Sequence, residues 1–107
     1  MNRNISEIPD KWVILKLKDT FYKVFATWNG GYLSGDSWKI NSGISKIEQD
    51  SDSYYIYGFS GSCYKCNKKA YGIANSYGND ILNSIMERGG NDFELMEDIE
   101  DWSKILE

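Results

Sequence analysis

Two runs of alternating residues between Lys11 and Trp28 constrain the fold of this chain more than any other feature. In KWVILKLK (11–18), Val13, Leu15 and Leu17 point one way, and Trp12, Ile14, Lys16 and Lys18 the other. Side chains of an extended strand face opposite sides in turn, so this period of two predicts a strand. TFYKVFATW (20–28) repeats the pattern, with Tyr22, Val24, Ala26 and Trp28 on one face. Lys18-Asp19-Thr20 makes a short turn where the two meet, which predicts a hairpin.

The chain then breaks at NGGYLSGDS (29–37), whose glycines 30, 31 and 35 mark a turned or mobile loop. It is no phosphate loop, because it lacks G-K-[ST] and no helical pattern follows. WKINSGISKIEQD (38–50) predicts a strand interrupted at Gly43. Ile40 and Ile44 share a parity that Ile47 does not, and a bulge near Ser42-Gly43 would repair the register. QDSDS (49–53) predicts a turn, YYIYGFS (54–60) a strong strand, and SCYKCNK (62–68) a further strand after Ser60-Gly61.

Helical spacing begins only at NDILNSIMERGG (79–90). Asn79 or Asp80 would cap it, Ile81, Leu82, Ile85 and Met86 form its stripe, and Gly89 stops it. Leu95, Ile99, Trp102 and Leu106 recur at helical spacing as well. The other reading of that end makes DFELM an edge strand and keeps only 98–106 helical, with acids at the N-terminus near 98 and Lys104 at the end. The order predicts an α+β fold: an antiparallel twisted sheet of about five strands, open or half-closed into a barrel, packed by one or two C-terminal helices. At 107 residues the chain is expected to form one domain, with residues 1–10 as a flexible N-terminus, 11–68 as the sheet and 79–106 as the helical part.

Composition narrows the chemistry. There is no histidine, which removes the usual general base and the commonest metal ligand. No catalytic residues, metal or cofactor are therefore expected. No apolar run approaches the roughly 20 residues of a membrane helix. MNRNISEIPD lacks the apolar core of a signal peptide, so a cytoplasmic protein with reduced thiols is expected. The net charge of −4 is uneven. Residues 1–47 carry seven basic and four acidic side chains, or +3, and residues 48–107 carry five and twelve, or −7. Residues 91–107 alone carry seven acids and one lysine, or −6. That end would repel phosphates, so direct nucleic-acid binding is not expected, and it could attract a basic protein surface.

Cys63 and Cys66 form a C-x-x-C. Structural zinc takes four ligands, so two thiols without histidine could hold one only between two chains, or with carboxylates completing the set. A thioredoxin-type pair opens a helix, and the run from Cys66 to Gly72 is too short for one. On a strand the two face opposite sides with Cα atoms about 10 Å apart, beyond disulfide reach. One is then expected as a small core residue and the other at the solvent. The aromatics, with eight Tyr and four Trp, divide between two readings, a sheet covered on both faces and surface anchors for a partner.

YKVFATWNGGYLSGDSWKINSGI followed by YYIYGFSGSCYKCNKKAYG resembles a group of small proteins of phages and prophages across residues 11–90. The likeness rests on Trp38, Asn41-Ser42-Gly43-Ile44, Gly61-Ser62, Tyr64, Cys66 and Tyr71-Gly72. It brings no catalytic residues. By analogy of class, it implies an anti-defence inhibitor of the anti-CRISPR kind in the host cytoplasm. Such a protein binds a host defence nuclease or another basic-surfaced protein, and a homodimer is compatible with it. The contacts expected are Tyr32, Leu33 and Trp38 around the glycine-rich loop, with Asp98, Glu100 and Asp101. The alternative is a sponge for a cyclic nucleotide signal, with Tyr64 stacking the base and Lys65, Lys68, Lys69 or Arg88 holding phosphates. A small hydrolase or nuclease is a third reading.

Overall fold

A computed structural model describes residues 4–18, 21–30, 35–89 and 92–106. Strands β1 (Lys11–Leu17) and β2 (Phe21–Trp28) pair antiparallel from Lys11↔Thr27 to Leu17↔Phe21, the hairpin that the alternation predicts. β3 (Ser37–Ile40) extends the sheet beyond β2. β4 (Ile44–Gln49), β5 (Ser53–Gly58) and β6 (Cys63–Asn67) form a second antiparallel sheet. Helix α1 (Ser76–Gly89) follows, and then β7 (Phe93–Leu95), which pairs with β1. The fold is α+β. Among the described residues seven strands lie in two sheets, ordered β3-β2-β1-β7 and β4-β5-β6, where the sequence predicts one sheet of about five.

The split occurs at Asn41–Gly43, inside the expected single strand. The Asn41 backbone N–H donates to the Val24 carbonyl at 3.1 Å, and the Asn41 side-chain Oδ1 accepts from the Val24 N–H at 2.9 Å. These bonds end β3 against β2. Gly43, at φ 134°, then turns the chain into the other sheet, and a Cβ there would lie 2.5 Å from the Phe59 ring. A register shift does occur, but between Ile44 and Lys46 rather than at Ser42-Gly43. It brings Ile44 and Ile47 together in the core, as the parity argument requires.

Both faces of β1 are covered. Trp12 and Ile14 join Val24, Ala26, Ile56 and Trp102 between the two sheets. Val13 and Leu15 join Phe25 on the opposite face, where Ile81, Leu82, Ile85 and Met86 of α1 pack over them. The helix starts at Ser76, three residues before its expected cap. Asn75 is the cap: its Oδ1 accepts from the Gly78 N–H at 2.7 Å, and its Nδ2 donates to the Trp28 carbonyl at 3.1 Å. Gly78 lets this first turn approach β2, since a Cβ there would stand 2.7 Å from Thr27 Cγ2.

The two ends differ from expectation. Residues 4–10, expected as a flexible lead, run along β6: the Ser6 N–H donates to the Cys63 carbonyl at 2.8 Å, and the Lys65 N–H to the Glu7 carbonyl at 2.9 Å. Glu7 bridges Tyr64 in parallel, and Pro9 is buried. An otherwise open strand edge is thereby satisfied. No second long helix forms between 95 and 106. After β7 the chain is irregular until a 3-10 turn at Trp102–Lys104, so the edge-strand reading is the nearer one and its 98–106 helix shrinks to that turn. Trp102 is buried, whereas Leu95, Ile99 and Leu106 are 43%, 39% and 40% exposed, which breaks the proposed helical stripe.

Candidate functional site

Three places carry groups with recognition chemistry: the C-terminal strap from Asp92 to Leu106, a cleft beside the glycine-rich loop, and a cleft at one end of the smaller sheet. The strap is held by a plug. The Trp102 ring stacks on Tyr71, with centroids 5.4 Å apart, and meets the edge of Trp12 at 6.2 Å. Polar bonds fix the chain around it. Tyr54 donates its hydroxyl to the Glu100 carbonyl at 3.0 Å, and Tyr71 donates to the Met96 carbonyl at 2.6 Å. Trp102 Nε1 donates to Asp98 Oδ1 at 3.0 Å. Asp101 caps the 3-10 turn through the Ser103 N–H and also accepts from Gln49 Nε2.

Two of the three expected acidic contacts therefore have internal work. Asp98 holds the plug, and Asp101 caps the turn, with its carboxyl held below the usual range chiefly by the Ser103 hydroxyl. Glu100 is exposed and uses only its carbonyl. Glu94 and Glu97 are also exposed, and neither is among the contacts expected from the sequence. The signal that would have found them is parity within a strap, which a helical reading conceals.

The first cleft, of about 500 Å³, lies among Trp28, Trp38, Lys39, Glu7 and Asp10. Trp38 is half-buried and stacks on Phe25 at 5.7 Å, so only part of its ring faces outward. Tyr32 and Leu33 lie outside the described residues.

The second cleft, of about 510 Å³, lies between the turn before β5 and the turn after β6. Lys65, Lys68 and Lys69 line it together, as the alternative ligand reading groups them. The other two residues of that reading lie elsewhere. Tyr64 is buried in the core between the sheets, because it occupies the inward parity of β6. Arg88 stands in the last turn of α1, on the far side of the larger sheet. Among the described residues, no aromatic ring lines the cleft. The turn before β5 that lines it is held by Asp50, whose carboxylate accepts from the Tyr55 hydroxyl at 2.6 Å, the Asp52 N–H at 2.9 Å and the Ser53 N–H at 2.8 Å. These bonds, the tyrosine's first, hold its pKa down at about 2.

The cysteines do face opposite sides of β6, but neither reaches solvent: Cys63 is 1% exposed and Cys66 0%. The N-terminal arm along β6, with Ser6 Oγ accepting from the Cys63 N–H, lies where open solvent is expected. Burial pushes the Cys66 thiol up, away from the reactive thiolate. Among the described residues, no three His, Cys, Asp or Glu side chains gather where they could hold a metal ion. Among them too, no helix is long and apolar enough to cross a membrane. No protein-family model matches this chain, and no curated protein and no solved structure matches it either.

Proposed function

We propose that this chain is a non-enzymatic binding protein that docks its acidic C-terminal strap on a basic surface of another protein and thereby inhibits it. The partner class implied by the phage resemblance is a host defence nuclease met in the host cytoplasm. One observation carries this reading: Glu94, Glu97, Asp98 and Glu100 stand exposed on a segment anchored by a fully buried Trp102. A charged surface already ordered in the free protein loses little entropy on docking. Leu95 and Ile99 are exposed in the same segment and add apolar area. Trp38, at the rim of the glycine-rich loop, belongs to a second contact in this reading.

The test uses the triple variant Glu94→Lys, Glu97→Lys and Glu100→Lys. It spares Asp98 and Asp101, whose loss would disturb the strap itself. Affinity capture from host lysate with the unaltered protein is expected to retain a cationic partner that the variant releases, chiefly through slower association. Equal retention of the same protein by both would contradict the docking reading.

A further inference from the structure

We propose that the lysine-lined cleft of the smaller sheet binds a compact phosphate ester that also carries hydroxyl groups, a sugar phosphate in chemical class. The site is separate from the strap's exposed acids and does not depend on the docking reading. Its walls are two turns tied to each other: the Lys68 N–H donates to the Asp52 carbonyl at 2.9 Å. Each wall is also fixed internally, by the three bonds to Asp50 on one side and by Asn67 Oδ1 accepting from the Lys69 N–H at 2.8 Å on the other. The volume of about 510 Å³ falls within the usual range of small-ligand sites.

Charge selects the phosphate. Residues 48–107 sum to −7, yet three of their five cations, Lys65, Lys68 and Lys69, meet here. The Lys68 ammonium is engaged by Gln49 Oε1 at 2.6 Å and lies 5.0 Å from the centre of the Tyr54 ring. Lys69, and Lys65 whose charge also acts on the Asp50 carboxylate, meet the phosphate, which carries about −1.5 to −2 at neutral pH. Asp52, Ser51 and Asn67 line the same cleft. An ionised Asp52 accepts hydrogen bonds only, so it suits ligand hydroxyls and repels a second anionic group. The absence of a ring among the described lining residues removes base stacking, which argues against a nucleobase as the recognised part.

The experiment is an NMR titration of labelled protein at low ionic strength with ribose 5-phosphate, against ribose and inorganic phosphate separately. Ribose 5-phosphate is expected to shift the amides of Ser51, Asp52, Asn67 and Lys69 and to bind about tenfold or more tightly than either fragment. Lys65→Gln with Lys69→Gln should abolish that gain. Asp52→Asn should weaken ribose 5-phosphate while strengthening inorganic phosphate, an opposite pair that mere surface attraction would not give. Should the double variant fold poorly, Lys69→Gln alone, at an exposed position, gives the same reading. Ribose 5-phosphate binding no tighter than phosphate, or binding unchanged by the lysine substitutions, would overturn the proposal.

Discussion

Helix α1 and the C-terminal strap are neighbours in the chain but are held by different physics. The helix is fixed by a repeating stripe, Ile81, Leu82, Ile85 and Met86, spread along its length and capped by Asn75. The strap has no repeat. It is fixed at its start by the β7–β1 ladder, and beyond β7 by one deep ring, Trp102, and by hydrogen bonds that reach it from Tyr54, Tyr71 and Gln49. Distributed burial lets a segment lose one contact and stay in place. A single anchor concentrates the same task in one residue and leaves the rest of the segment exposed for recognition.

The largest expected effect breaks that contrast. Trp102→Ala should cost about 3–5 kcal/mol and release the strap beyond β7, because the cavity opens between Trp12 and Tyr71. Leu82→Ala should cost about 2–5 kcal/mol yet leave the strap closed. Denaturant unfolding gives the costs, and the near-ultraviolet dichroism of the Trp12–Tyr71–Trp102 cluster separates the two outcomes. A strap that stays ordered in Trp102→Ala would show that the polar bonds alone suffice.

A smaller effect comes with alkali. Burial first, and the charge of Asp98 besides, push the Tyr71 hydroxyl up to about 12, against the bond from the Ile14 N–H, which lowers it. The unfolded side chain titrates near 10. The stability tied to the neutral hydroxyl is therefore complete below about pH 10 and is lost as pH rises through about 12, since the unfolded chain releases its proton first. Unfolding midpoints from neutral pH up to that window should fall, and fall less steeply in Tyr71→Phe. The same slope in both proteins would remove Tyr71 from the account.

Where contacts are local, the sequence was legible. The β1–β2 hairpin follows from alternation, and the stripe of α1 from its 3–4 spacing. The bulge before Ile47 was foreseen in kind from a parity conflict, though it sits past Gly43. Long-range bonds hid the remainder. Asn41 divides the expected single sheet by pairing with Val24, 17 residues earlier, and nothing nearby announces that. Residues 5–8 show no strand pattern, because backbone bonds to β6 rather than side chains place them, and those bonds also explain the buried Cys63. The helix began early because Asn75 serves both the helix and the Trp28 carbonyl. For the candidate sites, charge counting located the acidic end, and the alternative ligand reading named the three lysines that line one cleft. It did not reveal that Asp98 and Asp101 are spent internally or that Tyr64 faces the core.

Beyond β7, one buried ring is expected to make the acidic strap as ordered as the helix. Native-state hydrogen exchange measures this directly. The Met96 N–H bonds to the Ile14 carbonyl at 2.9 Å and the Trp102 N–H to Tyr54 Oη at 3.3 Å. Both amides are predicted to exchange as slowly as those in the middle of α1, and the Trp102-position amide to become fast in Trp102→Ala while Met96, beside the β7–β1 ladder, and the helix amides stay protected. Fast exchange of Met96 and Trp102 in the unaltered protein would contradict the claim.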